Sequence, residues 1–232
     1  MAKLGSYFRT LATVAVCTAV LGAPAHAQSW VDWQTIVRNS AGAPIGVDGQ
    51  ITLSTGTVDV SYRGNMFGAL LSNSDPNHWT PSTSWGAPSL VAPDKPDMVQ
   101  LQDASTKNVL TFSSSLDEVF FAVWSVGRVG DPVSYIFDQP FTIVAQGPST
   151  EYGCGSPCLS QSGNTLTGRE GNGVVRFDGP VNSITFDVDP SEFWHGFTVG
   201  ARVTATPEPA SFVLLGTGLV GVFGAARRRR NR

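Results

Sequence analysis

The sequence predicts an all-β body, a jelly-roll-like two-sheet sandwich, with a signal helix before it and a single transmembrane helix after it. Three observations predict this. Apolar and polar residues alternate with period two in about ten short runs. Gly- and Pro-rich segments at 127–132, 147–157, 168–173 and 179–180 separate those runs. Between the two ends, no stretch repeats apolar residues at the 3.6 period of a capped helix.

In chain order, Trp33–Val37 is a first strand. Ile51–Leu53 and Thr57–Tyr62 alternate apolar with polar residues. Met98–Leu101 and Val109–Phe112 follow a Pro-rich segment. Val119–Val126 is nearly all apolar, as a strand buried on both faces would be. Val133–Phe137, Phe141–Val144, Val174–Phe177, Ile184–Val188 and Phe197–Val203 complete the set. The body, 28–206, is long enough for one domain with its own core.

The ends carry address signals. Lys3 and Arg9 precede an apolar core, Leu11–Gly22, and Ala25-His26-Ala27 is a small-x-small cleavage site. Residues 1–27 therefore read as a signal peptide, cleaved between Ala27 and Gln28. A retained anchor would need a longer apolar run. At the other end, Pro207-Glu208-Pro209 precedes an uncharged apolar run of 17 residues, 210–226, and then Arg227, Arg228, Arg229 and Arg230. That run is at the short end of what spans a bilayer core at ~1.5 Å per residue. The arginines stay on the cytoplasmic side.

This terminus resembles the PEP-CTERM sorting signal of Gram-negative bacteria, also known as an ice-binding-protein C-terminal domain. The tripeptide, the Leu214–Leu219 stretch and the basic cluster come in the family's order. The resemblance implies export, membrane retention and cleavage near the tripeptide by an exosortase. Residues 207–232 form the signal on this reading. The protein would then sit in the cell envelope on its C-terminal helix, or reach the surface or matrix after processing. The downstream half of the body, Tyr135–Phe137 with Gly171–Phe177 and Val181–Phe186, also resembles a recurrent body of PEP-CTERM proteins. That likeness implies a sandwich fold and no activity.

The whole chain has a formal charge of −3, but residues 28–206 hold eight Lys/Arg against seventeen Asp/Glu, a net −9. An acidic body repels phosphate backbones and argues against nucleic acid as a partner. Cys154 and Cys158 remain after processing. Export makes a disulfide the default reading of Cys-Gly-Ser-Pro-Cys. A redox pair would want Cys-x-x-Cys at a helix start, and a zinc site would want further ligands where only His78 and His195 remain. No metal and no cofactor is expected.

Residues 72–97 depart from strand patterning, with five prolines, Trp79 and Trp85. Flat aromatic faces are what sugar rings stack on, so Trp79 and Trp85, with Asn77 and His78 as polar edges, form a candidate ligand platform. The alternative is that both rings fold back as a lid on the body. Asn73-Ser74-Asp75-Pro76-Asn77, with Asp94 and Asp97, spaces oxygen ligands as a calcium loop does. It lacks the loop's Gly and bidentate Glu, and the same residues form ordinary turns.

Catalytic motifs are absent: no Gly-x-Ser-x-Gly, no His-Glu-x-x-His and no phosphate-cradling glycine loop. The carboxylates of Asp187-Val188-Asp189-Pro190-Ser191-Glu192 are the one candidate catalytic group, with a solvated strand end as the alternative. Two functional readings follow. The first is a non-enzymatic, membrane-anchored surface or matrix protein with extracellular polysaccharide as candidate ligand and an exosortase as processing partner. The second is a secreted carbohydrate-active hydrolase using Asp187, Asp189 and Glu192.

Overall fold

The structure, a computed structural model, describes residues 28–202. The signal-peptide and sorting-signal residues, with the two helices expected there, lie outside the described residues. Among the described residues there are thirteen strands and one turn of 3₁₀ helix, Ser82–Ser84. None of their helices is long and apolar enough to cross a membrane. The strands are β1 (Gln28–Trp30), β2 (Asp32–Arg38), β3 (Pro44–Leu53), β4 (Gly56–Arg63), β5 (Gly68–Leu70), β6 (Met98–Leu101) and β7 (Ser105–Val126). They continue with β8 (Val133–Phe137), β9 (Thr142–Gln146), β10 (Leu159–Ser162), β11 (Thr165–Gly168), β12 (Gly171–Asp189) and β13 (His195–Arg202).

The hydrogen bonds draw one continuous antiparallel sheet where two separate sheets are expected. The cause is two long strands. Val109–Phe112 and Val119–Val126 belong to one strand, β7. Val174–Phe177 and Ile184–Val188 likewise belong to β12. β7 and β12 pair with each other along most of their lengths and change outer partners midway. The first part of β7 pairs with β4, Val60 opposite Phe112, and the last part with β13, Gly196 opposite Trp124. β12 begins beside β9 and ends beside β8. Between these parts the register slips at Asp178, Val181 and Ser183. Gly179, at φ 97°, supplies the left-handed backbone that a bulge needs. The Gly179-Pro180 pair, read as a turn between strands, is thus a bulge within one.

Rings from both parts of the sheet meet in one core. Phe121, in the last part of β7, stacks on Phe197 of β13 at 4.7 Å. It also meets Phe137 of β8 and Phe186 near the end of β12 edge-on, each at 5.4 Å. The opposite face of β7 carries Phe120, Ala122 and Trp124 into a second cluster with Val174, Trp79, Trp85 and Leu90. Every residue from Val119 to Val126 is buried, as the apolar run predicts. The 72–97 segment covers the second face.

Candidate functional site

Trp79 and Trp85 are 1% and 0% exposed and cross edge-on at 5.6 Å. Trp85 Nε1 donates to the Val123 carbonyl at 2.8 Å. Neither ring offers a face to a sugar, so the platform is corrected to a lid. The physical reason is the apolar outer face of β7, which needs large rings to shield it from water. Asn77 is exposed and donates to the Asp94 carbonyl at 3.2 Å. His78 pairs through Nδ1 with Glu151 at 2.7 Å, its ring 4.8 Å from Trp124 and 5.5 Å from Trp194. In the Asn73–Asn77 stretch, the Asp75 carboxylate accepts the amides of Leu71 and Ser72 at 3.1 and 2.9 Å, as a turn former does.

Gln28, the expected mature N-terminus, begins β1 opposite Arg202. Its side-chain amide exchanges two hydrogen bonds with the backbone of Val91, both at 3.3 Å. Cys154 and Cys158 are joined as a disulfide, their Cα atoms 5.0 Å apart, just before β10.

The three carboxylates at the end of β12 and just past it do not act together. Asp187 accepts the Lys107 amide at 2.7 Å. Asp189 is exposed. Glu192 turns inward and accepts the Gly127 amide at 2.9 Å. It lines a cleft of about 670 Å³ with Ser125, Gly127, Arg128, Tyr152, Glu170 and Trp194, and neither Asp187 nor Asp189 is among the lining residues. That volume falls within the roughly 300–1,000 Å³ of small-ligand sites.

Glu170 is a further carboxylate of this cleft, beside Asp131, and sequence reasoning missed it. The cleft is assembled where β7 ends and β12 begins. Ser125 and Glu170 both adopt left-handed backbone, at φ 54° and 60°. Such conformations cost on the order of 1–3 kcal/mol each and gather at functional sites. Buried Asn172 holds the pair in place: its Oδ1 accepts the Ser125 amide at 2.8 Å and its Nδ2 donates to the Glu170 carbonyl at 3.0 Å. The Ser125 hydroxyl donates to the Glu170 carboxylate. A signal was available in Glu170-Gly171-Asn172-Gly173, where an acidic residue meets a turn-forming cluster.

Burial pushes the Glu192 carboxyl up to about 7, the Gly127 amide opposing and the Glu170 charge adding to the shift. Behind it, His195 is fully buried, with Nδ1 2.5 Å from the Tyr135 hydroxyl and 3.9 Å from Glu192. Burial depresses the His195 pKa to about 3, so its imidazole is neutral near pH 7. At the cleft's edge, Phe193 is 90% and Tyr152 45% exposed. Trp194 and Tyr152 lean on Trp124, at 4.6 and 5.9 Å. His78 thus belongs to the support of this aromatic edge. The Trp194 indole N–H is sealed from solvent and has no hydrogen-bond partner. Such a site can stack a ring and accept hydrogen bonds.

No curated protein and no solved structure matches the chain. Residues 205–230 match the model of the PEP-CTERM protein-sorting motif. The arginine-flanked terminus expected to be an address is therefore one: the chain carries a PEP-CTERM sorting motif, which marks an exported protein with an exosortase-type signal.

Proposed function

We propose that this is a non-enzymatic surface or matrix protein whose β body binds extracellular polysaccharide at the Glu170–Glu192 cleft. On this reading the folded sheet acts as a two-layered sandwich, held at the envelope by its C-terminal helix until an exosortase acts near Pro207-Glu208-Pro209. The observation that carries the proposal is the exposed Phe193 ring, with Tyr152 and Trp194, beside the Glu170 and Glu192 carboxylates in one cleft. Aromatic faces stack on sugar rings while carboxylates accept their hydroxyls. Exposing a whole Phe to water has no folding benefit.

A glycan-array screen of the purified protein tests this. Binding is expected and should fall on Phe193→Ala. An array with no bound glycan would overturn the proposal. The alternative, a carbohydrate-active hydrolase, keeps Glu192 of its three proposed carboxylates in the cleft, which Glu170 also lines. Its burial-raised pKa suits a general acid. Release of reducing ends from a glycan that binds, abolished by Glu192→Gln, would favour the hydrolase.

A further inference from the structure

We propose that the Glu170–Glu192 cleft takes a cationic sugar, a hexosamine unit with a free ammonium group, in preference to N-acetylated or uronic-acid sugars. The inference rests on the polysaccharide-binding reading and names the class of sugar.

The charge balance of the cleft carries it. Arg128 is the one cation among the lining residues, and Asp131 holds it, with Nη2 2.6 Å and Nε 2.9 Å from the same carboxylate oxygen. Glu170 and Glu192 instead receive neutral donors, the Ser125 hydroxyl and the Gly127 amide. The nearest imidazole, His195, is neutral. Three carboxyl groups, Glu170, Glu192 and Asp131, therefore line a partly enclosed space with one cation, Arg128, which Asp131 holds.

An ammonium placed there makes charge-assisted hydrogen bonds, which are about twice as strong as neutral ones. The exposed faces of Phe193 and Tyr152 add cation–π attraction, best for a cation within about 6 Å of a ring centre. An N-acetylated sugar keeps the stacking and loses the charge. A uronic acid brings its negative charge close to those of the lining carboxylates.

The test uses the full-length protein in detergent and three oligosaccharides of equal length. These are a glucosamine oligomer, its fully N-acetylated form and an oligogalacturonate. The glucosamine oligomer should bind about tenfold tighter than its N-acetylated form, a difference of ~1.4 kcal/mol, with the uronate weakest. The double variant Glu170→Gln/Glu192→Gln should erase that margin, so that the two oligomers bind alike. Phe193→Ala should weaken the first two sugars and narrow their ratio, because stacking is lost by both and cation–π attraction by the glucosamine oligomer alone. Thermal melts confirm that each variant folds.

Equal or tighter binding of the N-acetylated or uronic oligomer overturns the cationic preference and leaves polysaccharide binding standing. A tenfold margin that survives the double Gln variant also overturns it, because the acidic body as a whole would then be attracting the cation. Failure of all three oligomers together with a blank glycan array overturns the underlying reading instead.

Discussion

Glu192 and His195 sit three residues apart and respond oppositely to pH. The Glu192 carboxyl rises from 4.5 to about 7 on folding. Between those values the folded chain keeps a proton that the unfolded chain has lost. The associated stability is full below the lower value and declines as pH rises towards the upper one. Asp97 behaves alike, pushed from 3.8 to about 6, chiefly by burial. His195 falls from 6.5 to about 3, so the unfolded chain takes up the proton first and stability drops as pH falls through that window. Glu192→Gln cannot ionise yet still accepts the Gly127 amide. Its melting temperature should exceed that of the wild type by a margin that grows from pH 5 to pH 8. A pH-independent margin would show that Glu192 is not the titrating group.

Trp85 is a second residue-scale case. Truncating a fully buried Trp that donates to the Val123 carbonyl should cost roughly 3–5 kcal/mol. Denaturant midpoints of Trp85→Ala measure this. A loss below ~1 kcal/mol would mean that the 72–97 segment is not the lid described.

At the scale of elements, β7 shows what a sequence can and cannot reveal. Its last eight residues were legible because a strand buried on two faces is nearly all apolar, Ser125 being the one polar residue in the run. Its union with Val109–Phe112 was not, because Ser113-Ser114-Ser115 reads as a break. The short strands β1, β5, β10 and β11, of three or four residues each, are too short to show a period. The cleft was half legible. Glu192 stood out by its neighbours, whereas Glu170 joins it only through β7–β12 pairing. The Cys154–Cys158 clip closes a small loop beside β10. Replacing both with Ser should cost roughly 2 kcal/mol in the chain-entropy model and leave the cleft's ligand binding unchanged. Chemical denaturation and a glycan titration of the variant check the two parts, and loss of folding would show that the clip matters more.

For the whole molecule, the sorting motif makes the sharpest prediction. Removing 210–232 should release the body into the medium. Replacing Arg227 to Arg230 with Ser should weaken retention and leave the melting of the body unchanged, since dragging each arginine through the bilayer centre costs ~2.5–3.5 kcal/mol on insertion scales. Cell fractionation decides both, and a truncated protein still found with membranes would exclude C-terminal anchoring.

The pairing of β1 with β13 sets how the body hangs. Gln28 lies opposite Arg202, so the chain enters and leaves the folded body at neighbouring points, three residues before the sorting motif begins. The cleft lies at the other end of β13, beside Trp194, and eight residues of strand separate the two ends. At ~3.3 Å per residue that is about 25 Å. If the body is held by its C-terminal segment, as proposed, the cleft would lie at the pole away from the membrane, where a polymer too large to reach the bilayer surface could still thread past it.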